Sequence, residues 1–96
     1  MKTIELFNKV GVFAENKDIA RDIRLNEIIP ALENGDSISL DFRGIDAATQ
    51  SFIHTLISDL IRSYGRDILD KINFKSCNDK VKKIIVIVTE YMQEIN

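Results

Sequence analysis

Apolar residues recur at three- and four-residue steps between positions 48 and 64, which is the spacing of one face of an α-helix. The members of this stripe are Ala48, Phe52, Ile53, Leu56, Ile57, Leu60, Ile61 and Tyr64. Gly65 follows the stripe, and glycine commonly ends a helix. Asp46 precedes it and carries the short acceptor side chain of a helix cap. The pattern therefore predicts a helix from about Ala47 to Tyr64 that buries one face.

A second helical stretch lies earlier in the chain. Apolar residues from Asp18 to Asn34 roughly follow helical spacing, and Gly35 is a good helix stop. Pro30 lacks an amide donor and disfavours helical geometry in the residue before it. We therefore expect a bend or a fresh start of the helix at Pro30.

The C-terminal segment from Val81 to Ile95 forms a third apolar stripe. Ser76 followed by Asp79 is typical of a capping box at a helix start. Ile84 to Val88 also has strand-like propensity, but the helical period persists for about four turns. The segment is therefore predicted to be a helix.

Extended runs fill the spaces between these helices. Ser37–Phe42 reads as a strand, and Ile68–Phe74 looks like another. At the N-terminus, Thr3–Phe7 and Val10–Phe13 predict either one strand interrupted at Gly11 or a small hairpin. The order β–α–β–α–β–α with an extended start predicts an α/β fold, with a small single-layer sheet of about four strands and three helices packed on it.

Composition narrows the classes of partner. The chain has 96 residues, room for one domain over 1–96, and a net charge of −2 that gives no electrostatic reason to expect nucleic acid or an anionic membrane. No apolar run could span a bilayer, and no signal-peptide core follows Lys2, so we expect a cytoplasmic protein. Cys77 is alone, which argues against a disulfide framework or a cysteine-based zinc site. No cofactor or metal is expected.

Polar side chains gather where the predicted strand 37–42 ends and the helix begins. In an open α/β sheet, ligands and partners usually dock at such a strand end, and a helix N-terminus stabilises negative charge. His54 lies one turn further along and can share a face with Gln50 and Ser51. The predicted partner-binding surface comprises Asp41, Arg43, Asp46, Thr49, Gln50, Ser51 and His54.

Catalysis is the less favoured interpretation of the same residues. Ser51 and His54, with Asp41 or Asp46, supply the residue types of a hydrolase triad, but a serine and a histidine three apart on one helix are poorly placed for it. No nucleophile elbow, phosphate loop or metal-ligand motif is present in the sequence. We therefore expect no enzymatic activity.

Several side chains also have purely structural interpretations. The hydroxyl oxygens of Thr49 and Ser51 can each accept a hydrogen bond from a free backbone amide in the first helical turn. Arg21 and Arg24 are predicted on the exposed side of the first helix. The lysines at 80, 82 and 83 are predicted to form a solvated helix face. Cys77 precedes a predicted helix start, where a thiol pKa can be lowered, but with no paired cysteine it is expected to be inert.

The segment LDFRGIDAATQSFIHTL resembles the STAS-like domain family, small bacterial proteins related to the STAS domains of anti-sigma-factor antagonists. Similar features lie upstream in IARDIRLNEIIPALENGD and downstream in INFKSCNDKVKKII. The resemblance covers most of the chain from about Asp18, and ATQSFIH is its most specific part.

The resemblance implies a regulatory, partner-binding role. In anti-sigma-factor antagonists, a kinase-type partner phosphorylates a serine at the amino end of the second helix, and the added charge releases the partner. Laid without gaps onto this chain, the antagonist motif Asp-Ser-Ser-Gly falls on Thr49, Gln50, Ser51 and Phe52. Ser51 thus occupies the phosphoacceptor position, although the other three residues differ from the motif.

The expected function is therefore a non-enzymatic interaction module whose partner is a kinase-like ATPase and whose switch is phosphorylation at Ser51. One alternative is a small partner protein of a two-gene stress or phage-defence module, and another is a hydrolase using Ser51 and His54. The exposed edge of a small sheet and a helix face of Ile and Val also leave a homodimer open.

Overall fold

The computed structural model describes the backbone of residues 1–95 and the side chains of residues 1–91. A three-stranded parallel sheet lies at its centre, in the order β1 (Lys2–Glu5), β3 (Ile38–Asp41), β5 (Ile72–Lys75). A separate two-stranded parallel pair consists of β2 (Phe13–Ala14) and β4 (Ala47–Ala48). Because all three strands of the larger sheet are parallel, their carboxyl ends meet at one edge.

Helices lie in the connections between these parallel strands and after the last of them. The connecting helices are α1 (Phe7–Val10), α2 (Lys17–Ile23), α3 (Ile29–Glu33) and α4 (Gln50–Tyr64), and α5 (Asp79–Ile95) follows β5. A π-helical turn, Arg24–Ile28, joins α2 to α3, and a 3₁₀ segment, Arg66–Lys71, leads from α4 into β5. Over the described residues, no helix combines the length and apolar character needed to cross a membrane.

The α/β class predicted from the sequence is confirmed, and α4 is the central helix of the core. Phe52 and Leu56 are fully buried and Leu60 is 1% exposed, as the apolar stripe predicts. Helix α4 packs against both α2 and α5. Residues 84–88 are helical rather than extended, so the interpretation of the C-terminal segment is also confirmed. Pro30 lies in the first turn of α3, directly after the π turn, so the backbone stays helical while the regular α-helical pattern is interrupted just before the proline.

The predicted numbers and lengths of strands are partly wrong. The N-terminal segment is neither an interrupted strand nor a hairpin, because α1 separates β1 from β2 and the two strands belong to different sheets. Of the predicted strand 68–74, residues 68–71 belong to the 3₁₀ segment, and the strand that pairs with β3 is 72–75. The 3₁₀ segment follows Gly65 and buries Ile68 in the core, so this apolar side chain is removed from water without strand pairing.

Two of the helix starts that the sequence predicted, those of α4 and α5, differ in their caps from the prediction. Helix α4 begins at Gln50 instead of Ala47, because 47–48 pair with β2 as strand. Its cap is Thr49, whose Oγ1 accepts the Phe52 amide at 3.1 Å, and not Asp46. Helix α5 is capped by Asn78, whose Oδ1 accepts the Val81 amide at 2.9 Å. Ser76 lies upstream of this cap with a φ of +59°.

The prediction that Arg24 is solvated is wrong. The residue is 9% exposed, whereas Arg21 is exposed as expected. Arg24 follows the buried Ala20 by four residues, so regular helical spacing already places it on the face that Ala20 and Ile23 bury. Arg24 lies against α4, where its guanidinium donates to the backbone carbonyl of Thr55, instead of facing solvent.

Candidate functional site

Five of the seven residues predicted to bind a partner line two separate clefts, and Asp46 and Thr49 line neither of these two. The first, called here the α4–α5 cleft, has a volume of about 280 Å³ and is lined by Gln50, Ser51, His54, Val88 and Tyr91. The second, called here the strand-end cleft, has a volume of about 320 Å³ and is lined by Glu5, Phe7, Asn8, Asp41, Arg43 and Gly44. The structure therefore groups Gln50, Ser51 and His54 as predicted and places Asp41 and Arg43 elsewhere.

Ser51 is exposed at the second residue of α4. His54 follows one turn later and is half-buried, and both side chains line the α4–α5 cleft. The opposite wall is apolar and aromatic, with Val88 buried and Tyr91 54% exposed. Ile87, 39% exposed, lies one turn before Tyr91 on the same helix. A polar helix N-terminus thus faces an apolar helix flank.

The start of α5 is held against the segment before α4. The Asn78 side-chain amide donates to the backbone carbonyl of Asp46 at 2.7 Å, while its oxygen caps α5. Lys80 forms an exposed ion pair with Asp46 at 3.6 Å, which contributes little in solvent. The hydrogen bonds of Asn78 therefore fix where α5 begins relative to α4. Asp46 and Thr49 have structural roles in this arrangement.

Asp41 lies at the carboxyl end of the central strand and is 8% exposed. Its Oδ1 accepts the backbone amide of Arg43 at 2.9 Å, which shapes the turn after β3. Arg43 itself is exposed, and across residues 1–91 its guanidinium forms no ion pair. Asp41 is thus both a turn residue and part of the strand-end cleft.

The hydrolase interpretation gains no support from the geometry. Within the part of the chain whose side chains are described, no hydrogen bond joins Ser51 to His54. Asp41 and Asp46 are engaged with Arg43 and Lys80 rather than with His54. Likewise, no group of three or more His, Cys, Asp or Glu side chains that could hold a metal ion occurs among the described residues.

The lone thiol differs from the expectation for a cysteine beside a helix start. Burial raises the pKa of Cys77, the positive charge of Lys82 lowers it, and the carboxylate of Asp41 raises it. Because the cap of α5 is Asn78, Cys77 lies outside the first helical turn, where the dipole would favour a thiolate. Desolvation is therefore the dominant influence on this thiol.

Sequence reasoning missed the part of the α4–α5 cleft that α5 supplies. The α5 stripe predicted a buried face, and Val88 belongs to it, but spacing alone does not reveal which flank meets the start of α4. Tyr91, predicted as part of the core stripe, is more than half exposed. The sequence did contain one signal for this exposure, because the hydroxyl of a tyrosine at the edge of an apolar stripe favours contact with water.

A family model described as a STAS-like domain of unknown function (DUF4325) matches residues 20–82, about two thirds of the chain. The fold is that of a small α/β domain, and the chain belongs to the STAS-like family. The match includes β3, all of α4 and the start of α5. No curated protein and no solved structure has significant similarity to the chain.

Proposed function

We propose that the protein is a non-enzymatic regulatory module that binds a protein partner over the α4–α5 cleft and releases it when Ser51 is phosphorylated. The partner contacts Gln50, Ser51 and His54 on α4 and the apolar flank of α5. A kinase-like ATPase is the expected partner, by analogy with the anti-sigma-factor antagonists that the STAS-like family resembles.

The observation that carries the proposal is the position of Ser51. Its side chain is exposed on a cleft whose opposite wall contains Val88 and the half-exposed Tyr91. Exposed aromatic side chains beside apolar ones are typical of interface centres. A kinase can reach the hydroxyl in the free protein, and a bound partner would cover it.

Phosphorylation would act on the interface and leave the fold intact. Ser51 lies in the first turn of α4, where the helix dipole favours negative charge. A phosphate carries about −1.5 to −2 charges at neutral pH. Burying that charge against an apolar partner surface costs free energy, so the bound state is weakened while the free domain is not.

The test is affinity purification of the tagged full chain from its native host, followed by titration of the recovered partner. We expect wild type and Ser51→Ala to retain the partner and Ser51→Glu to bind it at least about tenfold more weakly, the loss expected for burying a charge. Ser63→Glu is the matched control, because Ser63 is an exposed serine near the other end of α4. Full affinity of Ser51→Glu would contradict the switch, and a partner without an ATPase domain would contradict the partner class.

A further inference from the structure

The strand-end cleft is built at the carboxyl edge of the parallel sheet. Glu5 ends β1 and Asp41 ends β3, and the two strands are neighbours in register, so both acidic side chains reach the same edge. The turn after β3 adds Arg43 and Gly44, and α1 adds an aromatic wall. Crevices outside the carboxyl ends of parallel strands are where open α/β sheets bind ligands.

Asp41 gives this cleft a buried polar group with free binding capacity. The residue is 8% exposed, and its Oδ1 accepts the amide of Arg43. Across residues 1–91, its second carboxylate oxygen has no hydrogen-bond partner, yet no buried side-chain oxygen in this part of the chain is left without one. That oxygen is therefore open to the cleft, where a donor from a ligand can reach it.

The charges lining the cleft are of both signs. Glu5 and Asp41 are acidic, and Arg43 supplies an exposed guanidinium that forms no ion pair among the described side chains. Arg43 would repel a ligand with two positive groups, and the carboxylates of Glu5 and Asp41 would repel a ligand with two negative groups. A ligand that carries both an ammonium and a carboxylate is matched to the whole lining.

An aromatic ring forms the apolar wall. Phe7 is 43% exposed and packs over the turn at Gly44, where an added Cβ would lie 3.0 Å from the ring. Gly44 also has a φ of +88°, which disfavours any other residue. The glycine thus allows the ring to close one side of the cleft. The Asn8 side chain donates to Glu5 at 2.9 Å and holds that carboxylate at the rim.

We propose that the strand-end cleft binds a free α-amino acid with an apolar side chain. The ammonium donates to Asp41 and Glu5, the carboxylate accepts from Arg43, and the side chain packs on Phe7. A cleft of about 320 Å³ lies at the small end of the range for ligand sites and suits a ligand of this size. This site is separate from the surface around Ser51.

The test uses the purified full chain and three matched probes, L-phenylalanine, 2-phenylethylamine and 3-phenylpropanoate. The second lacks the carboxylate and the third lacks the ammonium. We expect L-phenylalanine to shift the backbone amide resonances of Phe7, Asn8, Arg43 and Gly44 in NMR titrations. Each partial analogue should bind at least about tenfold more weakly, the loss expected for one charge-assisted hydrogen bond.

Variants separate the two charged contacts. Arg43→Gln should abolish the preference for L-phenylalanine over 2-phenylethylamine, because it removes the carboxylate partner. Asp41→Asn keeps an acceptor for the Arg43 amide, so the turn is preserved, and it should reduce the preference for L-phenylalanine over 3-phenylpropanoate, because Glu5 alone then supplies a carboxylate to the ammonium. Arg66→Gln, at an exposed arginine outside the cleft, should change neither preference.

Three results would overturn the amino-acid site. They are equal binding of L-phenylalanine and 2-phenylethylamine, shifts confined to residues outside the cleft, and no binding at about 10 mM, a concentration at which a ligand of this size and ordinary efficiency is detected. None of these results bears on Ser51, because the measurement involves no protein partner. Conversely, loss of the phosphorylation switch would leave the amino-acid titration unchanged.

Discussion

Arg24 donates a hydrogen bond from Nη1 to the backbone carbonyl oxygen of Thr55 across 2.6 Å. The same nitrogen lies 3.1 Å from Oδ2 of Asp59, one turn further along α4. Because Arg24 opens the π turn, these contacts connect the first crossover to the middle of α4. Thr55 directly follows His54, so the connection also fixes the helix that presents the α4–α5 cleft.

Replacement of Arg24 by alanine should lower the free energy of unfolding by about 1–3 kcal/mol, because a mostly buried hydrogen bond from a charged group is lost. Most of this loss comes from the contact with Thr55, since Asp59 is 47% exposed and its attraction is screened by water. Urea denaturation measures the change. Arg21→Ala is the control, and equal effects of the two substitutions would show that the buried contact contributes nothing.

The error at Arg24 shows what limits prediction of this fold. The spacing of apolar residues identified the helical region of α2 and α3, because each helix keeps an amphipathic pattern of its own. Pro30 and Gly35 indicated helix boundaries through the restricted backbone of proline and the flexible backbone of glycine. The π turn between them has no comparable local signal. Arg24 lies before the residues that this turn shifts, and its spacing from Ala20 places it on the buried face. A charged side chain is ordinarily expected in solvent, and the acceptors that satisfy this guanidinium, Thr55 and Asp59, become visible only in the tertiary structure.

The core of α4, in contrast, follows directly from its stripe. Leu56 is fully buried at the centre of the helix, so Leu56→Ala should lower the free energy of unfolding by roughly 2–5 kcal/mol through lost burial and a residual cavity. Leu25→Ala is the matched control, because Leu25 is 49% exposed and should change stability by less than about 0.5 kcal/mol. Chemical denaturation of both variants tests the assignment, and similar losses would contradict it.

The candidate site was predictable only as far as it lies on one element. Gln50, Ser51 and His54 share a helix face, so spacing alone brought them together. Asp41 and Arg43 are close in sequence to this group, but the turn after β3 directs them into the strand-end cleft with α1. Residues that are neighbours in the sequence therefore lie in different clefts. The path of the chain after β3 decides this, and the local spacing of apolar and polar residues does not reveal that path.

Thr49 caps α4, and its replacement measures the structural part of the strand-to-helix region. Thr49→Ala should lower the free energy of unfolding by about 0.5–2 kcal/mol, because the Phe52 amide loses its acceptor. Thr49→Ser should retain most of the stability, since it keeps the hydroxyl. Thermal unfolding compares the variants with Asp46→Ala. A larger loss from Asp46→Ala would show that the original assignment of the cap to Asp46 was correct.

Cys77 should react slowly with iodoacetamide because its raised pKa keeps it as a thiol. The rate should rise with pH, and its midpoint should lie above that of the urea-unfolded chain, where the burial is lost. Lys82→Ala should move the midpoint higher still, because the lysine charge favours the thiolate. Lys83→Ala, at an exposed neighbouring lysine, should leave it unchanged. A midpoint below that of the unfolded chain would contradict the dominance of desolvation.

Tyr91 is the exposed aromatic residue on the wall opposite Ser51, and it tests whether the partner covers the whole α4–α5 cleft. Tyr91→Ala should weaken binding of the recovered partner at least about tenfold, as expected when a large aromatic side chain is removed from an interface centre. Tyr64→Ala is the matched control, because Tyr64 is 45% exposed near the other end of α4. Both variants should keep their thermal stability, so a difference in titrated affinity reports on the interface. If Tyr91→Ala binds as wild type while Ser51→Glu does not, the partner contacts the start of α4 without reaching α5.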